Sequence, residues 1–162
     1  MENLGQQITI SKVNNSIYKI LSNDKSLTLD IENVKLPFGV DSYTYNRKKT
    51  FYLKLEINNI LKNYIIDIET QVKTILESVE KSSAFSIKSQ IMEQGIYNPN
   101  MIVKIKQYRD KILTKIKDND GALSLFDIEK NTILDMKITP NIYIDKDNNI
   151  IVKWTAKEIC VK

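Results

Sequence analysis

Histidine is absent from this chain, cysteine occurs once, at position 160, and glycine and proline are scarce, at four and three in 162 residues. Each absence excludes chemistry. Without histidine there is no Ser-His-Asp triad, no Cys-His pair, no HExxH zinc site and no imidazole acid or base near neutral pH. A single cysteine makes neither an intrachain disulfide nor a zinc cluster, which points to a reducing compartment. The glycines, at 5, 39, 95 and 121, are too dispersed for a G-x-G-x-x-G loop, and no G-x-x-x-x-G-K-[ST] run occurs. Apolar runs long enough for a membrane span are missing, and the opening Met-Glu-Asn-Leu-Gly-Gln-Gln lacks the basic and apolar regions of a secretory signal. The expectation is a soluble intracellular protein that is not an enzyme, with no cofactor, no metal and no membrane partner.

The residues that are present describe an ordinary globular chain, 42% apolar and 27% charged. Lys and Arg number 24 against 20 acidic residues, a net +4 that permits a polyanionic partner without specifying one. The surplus is uneven. Between Lys104 and Asp118 stand Lys104, Lys106, Arg109, Lys111, Lys115 and Lys117, opposed only by Asp110 and Asp118.

Residues 1–15 are polar and read as an arm or edge strand, and 16–162 as one domain. Ile17 to Leu21, then Leu27, Leu29 and Ile31 in alternation, predict a hairpin turning at Asn23-Asp24. Leu36-Pro37-Phe38-Gly39-Val40 ends it, and Tyr43 and Tyr45 follow in a loop with Arg47, Lys48 and Lys49. From Thr50 to Ile57 the period is two, with Phe51, Leu53, Leu55 and Ile57 on one face. Three- and four-residue steps from Leu61 to Val79 predict an amphipathic helix over 59–81, with Glu69 on its polar side. The Ser82-Ser83 step leads to a second, shorter segment around Ile87 to Met92. After Pro99, strands are predicted over 101–108, 111–117, 133–138, 142–144 and 150–161, with turns at Asp118–Gly121 and Asp145–Asn149. The fold class is mainly β with one or two helices, and a small OB-like barrel with the long helix between strand groups suits the order, other small barrels and sandwiches remaining open.

Lys104, Lys106, Tyr108, Arg109, Lys115 and Lys117 combine cations with an aromatic, the chemistry that holds single-stranded nucleic acid: ammonium groups track phosphates and rings stack on bases. A solvated strand face would look the same. Tyr43 and Tyr52 beside the Arg47-Lys48-Lys49 run are further platforms. Trp154 sits in a basic strand and could stack a base, although a tryptophan more often serves a core. Asp145, Asp147 and Asn149 have the spacing that opens a calcium loop, but Ile150 and Ala156 stand where Gly and the bidentate Glu are needed, so a polar turn is the better reading. Cys160 reads as a small buried apolar residue rather than a nucleophile.

Leu36-Pro37-Phe38-Gly39-Val40, Tyr52-Leu53-Lys54-Leu55, Tyr97-Asn98-Pro99 before Val103-Lys104-Ile105, Ile142-Tyr143-Ile144 and Val152 to Ile159 occur in an order that resembles the OB-fold, single-stranded-DNA-binding-like proteins of nucleocytoplasmic large DNA viruses. The resemblance spans about residues 34 to 161. It implies non-enzymatic coating of single-stranded DNA in viral replication, recombination or repair, in a host cytoplasm, viral factory or virion. It also implies roles for Trp154 and Tyr143 as strand aromatics and for Lys104 in the strand after the proline. It leaves room for a homo-oligomer and for replication or virion proteins as partners. Two departures stand out: Asp147-Asn148-Asn149 replaces the glycine of the last hairpin, and the sequence ends Glu158-Ile159-Cys160-Val161-Lys162 where an acidic recruiting tail is expected. The alternative from another class is a virion structural or assembly protein that uses the same domain to bind protein.

Overall fold

The computed structural model describes residues 7–80, 84–93 and 95–162. The chain order is β1 (Thr9–Lys12), β2 (Ile17–Ser22), β3 (Lys25–Ser26), β4 (Leu29–Leu36), β5 (Val40–Tyr45), β6 (Lys48–Glu56), α1 (Asn59–Val79), β7 (Ser86–Ile87), β8 (Ile91–Met92), β9 (Asn100–Ile105), β10 (Gln107–Tyr108), β11 (Lys111–Ile112), β12 (Lys115–Asp118), β13 (Gly121–Ala122), a 3-10 turn (Leu125–Asp127), β14 (Thr132–Ile144) and β15 (Asn149–Val161). Residues 1–6 of the expected arm and the Ser82-Ser83 step lie outside the described residues.

The mainly β character with one long helix holds, but the OB-like small barrel is corrected. Thirteen of the strands form one sheet, ordered β1-β2-β14-β4-β6-β9-β15-β12-β13, with β14 also pairing β15, with β3, β5, β7 and β8 attached at its sides and with β10-β11 as a separate hairpin. The cause is the length of β14 and β15, 13 residues each. Strands that long pair with each other and still have room for β2 and β4 on one and β7, β9 and β12 on the other. The predicted segment around Ile87 to Met92 is two short strands, β7 and β8, so α1 is the one long helix among the described residues.

Separate strands were expected over 133–138 and 142–144, yet β14 runs unbroken through Pro140. In this stretch alternate N–H groups point to the same side, and the Ile144 N–H donates to Ser16 O on the β2 side. The donor that Pro140 lacks would also face that side, where β14 has left β4 after Ile138 and has not yet met β2 at Asn141. No ladder bond is forfeited. Tight turns carry the short hairpins: Asn23-Asp24 (φ 51° and 61°) between β2 and β3, and Asn46-Arg47 (φ 49° and 63°) between β5 and β6. Tyr43 and Tyr45 are therefore in a strand, not a loop. The predicted return strand from Leu27 is also shorter, because Leu29 to Leu36 leaves the hairpin to pair with β14.

The core gathers the inward faces of these strands around α1. Leu53, Leu55, Met101, Val103, Ile138, Ile142, Ile150, Val152, Trp154 and Ala156 are buried against Leu61, Ile65, Ile68, Val72 and Leu76 of the helix. Asn58 starts α1, its side chain accepting from Leu61 N at 2.8 Å. Glu69, expected on the polar side, is buried: Ser89 Oγ donates to its Oε1 at 2.8 Å, and Oε2 has no partner among the described residues. Desolvation raises its pKa above the ordinary carboxyl value.

Candidate functional site

Alternation along β6, β9 and β15 sends Leu53, Val103 and Trp154 inward and Tyr52, Lys104, Lys153 and Thr155 outward. Pairing then lines these outward residues up. Tyr52 is opposite Lys104, and Lys104 opposite Thr155. On the far side Asn141 is opposite Lys153, and the Lys153 ammonium lies 4.8 Å from the centre of the Tyr143 ring. At the near side Tyr43 of β5 packs on Tyr52, ring centres 5.9 Å apart. One face thus carries tyrosines at both ends and lysines between them.

The lysines are charged against resistance. Lys104 and Lys153 are half-buried, and burial pushes both below the ordinary lysine value. Lys48 depresses Lys104 further, while Lys104 and Lys88 depress Lys153, with Tyr43 acting the other way. None of the ion pairs among the described residues involves either lysine: those pairs are Lys12–Glu80, Lys62–Glu93, Lys73–Glu77, Lys137–Asp30 and Lys162–Asp135. Like charges held together without a carboxylate cost stability, and an anion bound between them relieves the cost.

Other predicted residues are dispersed. Tyr108 and Arg109 occupy the exposed β10-β11 hairpin, the guanidinium 5.5 Å from the ring centre. That hairpin is docked beside the start of β6, because Gln107 Oε1 accepts from Phe51 N at 3.0 Å and its Nε2 donates to Lys49 O at 3.2 Å. Exposed Lys106 and Arg109 stand one and two residues from Gln107, whose side chain bonds Lys49 and Phe51 at one margin of the face. Thr114 fixes the return: it is buried, its Oγ1 donating to Ala156 O at 2.7 Å and accepting from Lys106 N at 2.8 Å. Lys115 and Lys117 lie elsewhere. β12 sets them opposite Glu158 and Cys160 of β15, past a bulge between Lys137 and Ile138, in a groove that also holds Asp30, Glu32 and Asp135. The run of cations in the sequence is thus split three ways, and its last pair faces acids.

Trp154 is corrected outright: at 1% exposure it belongs to the core and offers no face to a ligand. The sequence could have shown this, because Ile150, Val152, Trp154 and Ala156 alternate with Ile151, Lys153 and Thr155. The same alternation would have found Lys153. Lys48 and Lys88 carried no such signal, since their place beside Lys104 and Lys153 depends on which strands pair. The Asp145 turn is built as a turn: its carboxylate accepts from Asp147 N, Asn149 N and Asn149 Nδ2 at 2.9, 2.9 and 3.0 Å, which lowers its pKa. Cys160 is half-buried rather than fully enclosed. Among the described residues no group of three or more His, Cys, Asp or Glu is placed to hold a metal, and no helix is long and apolar enough to cross a membrane.

No protein-family model and no curated protein matches this sequence. Among solved structures, the chain is similar to the crystal structure of gp2.5, a single-stranded DNA binding protein encoded by bacteriophage T7. Identity is 13%, the match covers 83% of this chain and 90% of that one, and the TM-score is 0.61. At that identity the likeness is one of fold. It supports the coarser part of the sequence resemblance, a fold shared with a viral DNA-binding protein, and does not reach the large DNA viruses in particular.

Proposed function

We propose that this chain, which shares its fold with a phage single-stranded-DNA-binding protein, binds single-stranded DNA without catalysis through the face that runs from Tyr43 and Tyr52 across Lys104 and Lys153 to Tyr143. The observation that carries the reading is the pair of half-buried lysines held between tyrosines with no carboxylate partner among the described residues. Phosphates between Lys104 and Lys153 relieve their mutual repulsion, and a tyrosine ring stacks on any base, worth about 1–3 kcal/mol per base. Arg47, Lys48, Lys49, Lys106 and Arg109 extend the positive potential at one margin and speed encounter. In this reading the protein coats exposed strands during viral replication, recombination or repair.

Fluorescence titration with a dT oligomer at low and high salt, alongside duplex DNA and RNA of equal length, tests it. Binding to dT should weaken steeply with salt and exceed that to duplex, whose bases are not free to stack on tyrosines. Absence of dT binding at low salt would end the proposal. A stable complex with a virion protein and no nucleic-acid affinity would put the assembly reading in its place.

A further inference from the structure

The segment that joins β7 to β8 is pinned at both ends, β7 to β15 through Ser86 and Ile87 and β8 to β9 through Ile91 and Met92. Between the two strands, Ser89 Oγ accepts from Ile91 N at 3.1 Å and donates to Glu69 Oε1 at 2.8 Å, which ties the segment to α1. Glu69 is 3% exposed and lines a cavity of about 300 Å³, with Ile66, Ile87 and Ile91 as apolar walls. Lys62, on the same helix, gives its ammonium to Glu93, which is the more exposed of that pair. Glu69 takes part in none of the ion pairs among the described residues, and its Oε2 has no hydrogen-bond partner there. The cavity thus sets two carboxylates against one ammonium in a chain of net charge +4. A buried carboxylate held by one hydroxyl is under-satisfied, since buried charges are ordinarily paired.

We propose that this cavity receives one arginine side chain from a protein partner, its guanidinium on Glu69 Oε2 and its aliphatic stem between Ile66, Ile87 and Ile91. The two halves of that side chain match the two kinds of wall, isoleucines for the stem and a carboxylate for the head. Arginine suits the place better than lysine. Its guanidinium is more weakly hydrated than an ammonium, and its fork offers donors to more than one of the oxygens that line the cavity. A hard cation such as calcium needs several oxygen ligands at once, and no group of three or more acidic ligands is placed to hold one among the described residues. A phosphate would be repelled. Desolvation raises the pKa of Glu69, and an arriving cation offsets that cost. The arginines of this chain, Arg47 and Arg109, belong to the β5-β6 turn and the β10-β11 hairpin and line no part of the cavity. Leu53, Val103 and Trp154 lie between α1 and the Tyr52-Lys104-Lys153 face, so a partner seated here leaves that face clear. The inference therefore stands apart from the DNA reading.

The test titrates the full-length protein, near neutral pH and at constant ionic strength, with a blocked Gly-Gly-Arg-Gly-Gly peptide, its citrulline counterpart and agmatine, following amide chemical shifts. The arginine peptide should saturate at millimolar concentration and move signals around Glu69 and from Ile87 to Ile91. The citrulline peptide, neutral but of the same shape, should bind at least about tenfold more weakly. Glu69→Gln keeps the shape of the side chain and should weaken arginine binding by about tenfold or more. Ile66→Arg, three residues before Glu69 on the same helix face, supplies the guanidinium from within the chain. It should raise the melting temperature and abolish the peptide shifts, which decides the matter if Glu69→Gln folds poorly. Absence of saturation, equal binding of the citrulline peptide, or arginine binding that survives both substitutions would overturn the proposal. So would agmatine binding more than about tenfold tighter than the peptide, which gives the cavity to a small free amine. Self-association of the free protein that Glu69→Gln abolishes gives it to a second copy and equally sinks the protein-partner assignment.

Discussion

Replacing Lys104 and Lys153 by glutamine removes the two cations at the centre of the proposed site while keeping most of each side-chain stem. For single strands the logarithm of affinity falls with the logarithm of salt by about 0.7 per neutralised phosphate. Loss of two contacts should therefore flatten the slope by about 1.4. Measured against 1 M salt, that is about 25-fold in affinity at 0.1 M, or about 2 kcal/mol. Stability should move the other way or not at all, because both lysines are desolvated, repel each other and have no carboxylate to leave unpaired. The assay is dT titration over a salt series with urea unfolding of the same samples, and Lys115→Gln/Lys117→Gln serves as the control. Those two lysines face Glu158, Asp30, Glu32 and Asp135, so their removal should change the slope far less. An unchanged slope in the Lys104/Lys153 variant, or an equal loss in the control, would refute the assignment.

The same pair predicts a pH dependence: since Lys104 and Lys153 titrate below the ordinary value of 10.5, dT affinity should decline with rising pH before other lysines discharge, and the double glutamine variant should show a flatter profile. Over that window the folded state holds fewer protons on these groups than the unfolded chain, so stability should rise while affinity falls, a divergence that parallel titration and melting would detect. Glu69 gives the opposite sign at acid pH. Its folded pKa is raised above 4.5, so its contribution is most favourable below that value and is lost as pH climbs to the folded value, and Glu69→Gln should flatten the stability profile. Thr114→Val leaves Lys106 N and Ala156 O without their partner and should cost about 2–4 kcal/mol in urea unfolding, with β10 and β11 gaining hydrogen exchange. Asn58→Ala should cost about 1 kcal/mol by uncapping α1, read by thermal melting.

The residue sequence by itself determined what local physics can determine. Period-two runs placed Leu53, Leu55, Val103 and Ile116 inside, the three- and four-residue steps drew α1 to within two residues of its end, and turn chemistry marked Asn23-Asp24 and Asp145–Asn149. The absence of histidine removed whole classes of catalysis before any fold was known. Tertiary structure decided the rest, because pairing between distant strands is not written in any one of them. The parallel contact of β9 with β15 brings Lys104 towards Lys153, the length of β14 and β15 gathers thirteen strands into one sheet where a small barrel was expected, and the course of β12 carries Lys115 and Lys117 away to acidic neighbours. A cluster of cations in sequence proved to be three separate places in space. The central lysines were assembled instead from strands that meet only when the chain folds, since a strand's own alternation sets which way a side chain points but not what stands beside it.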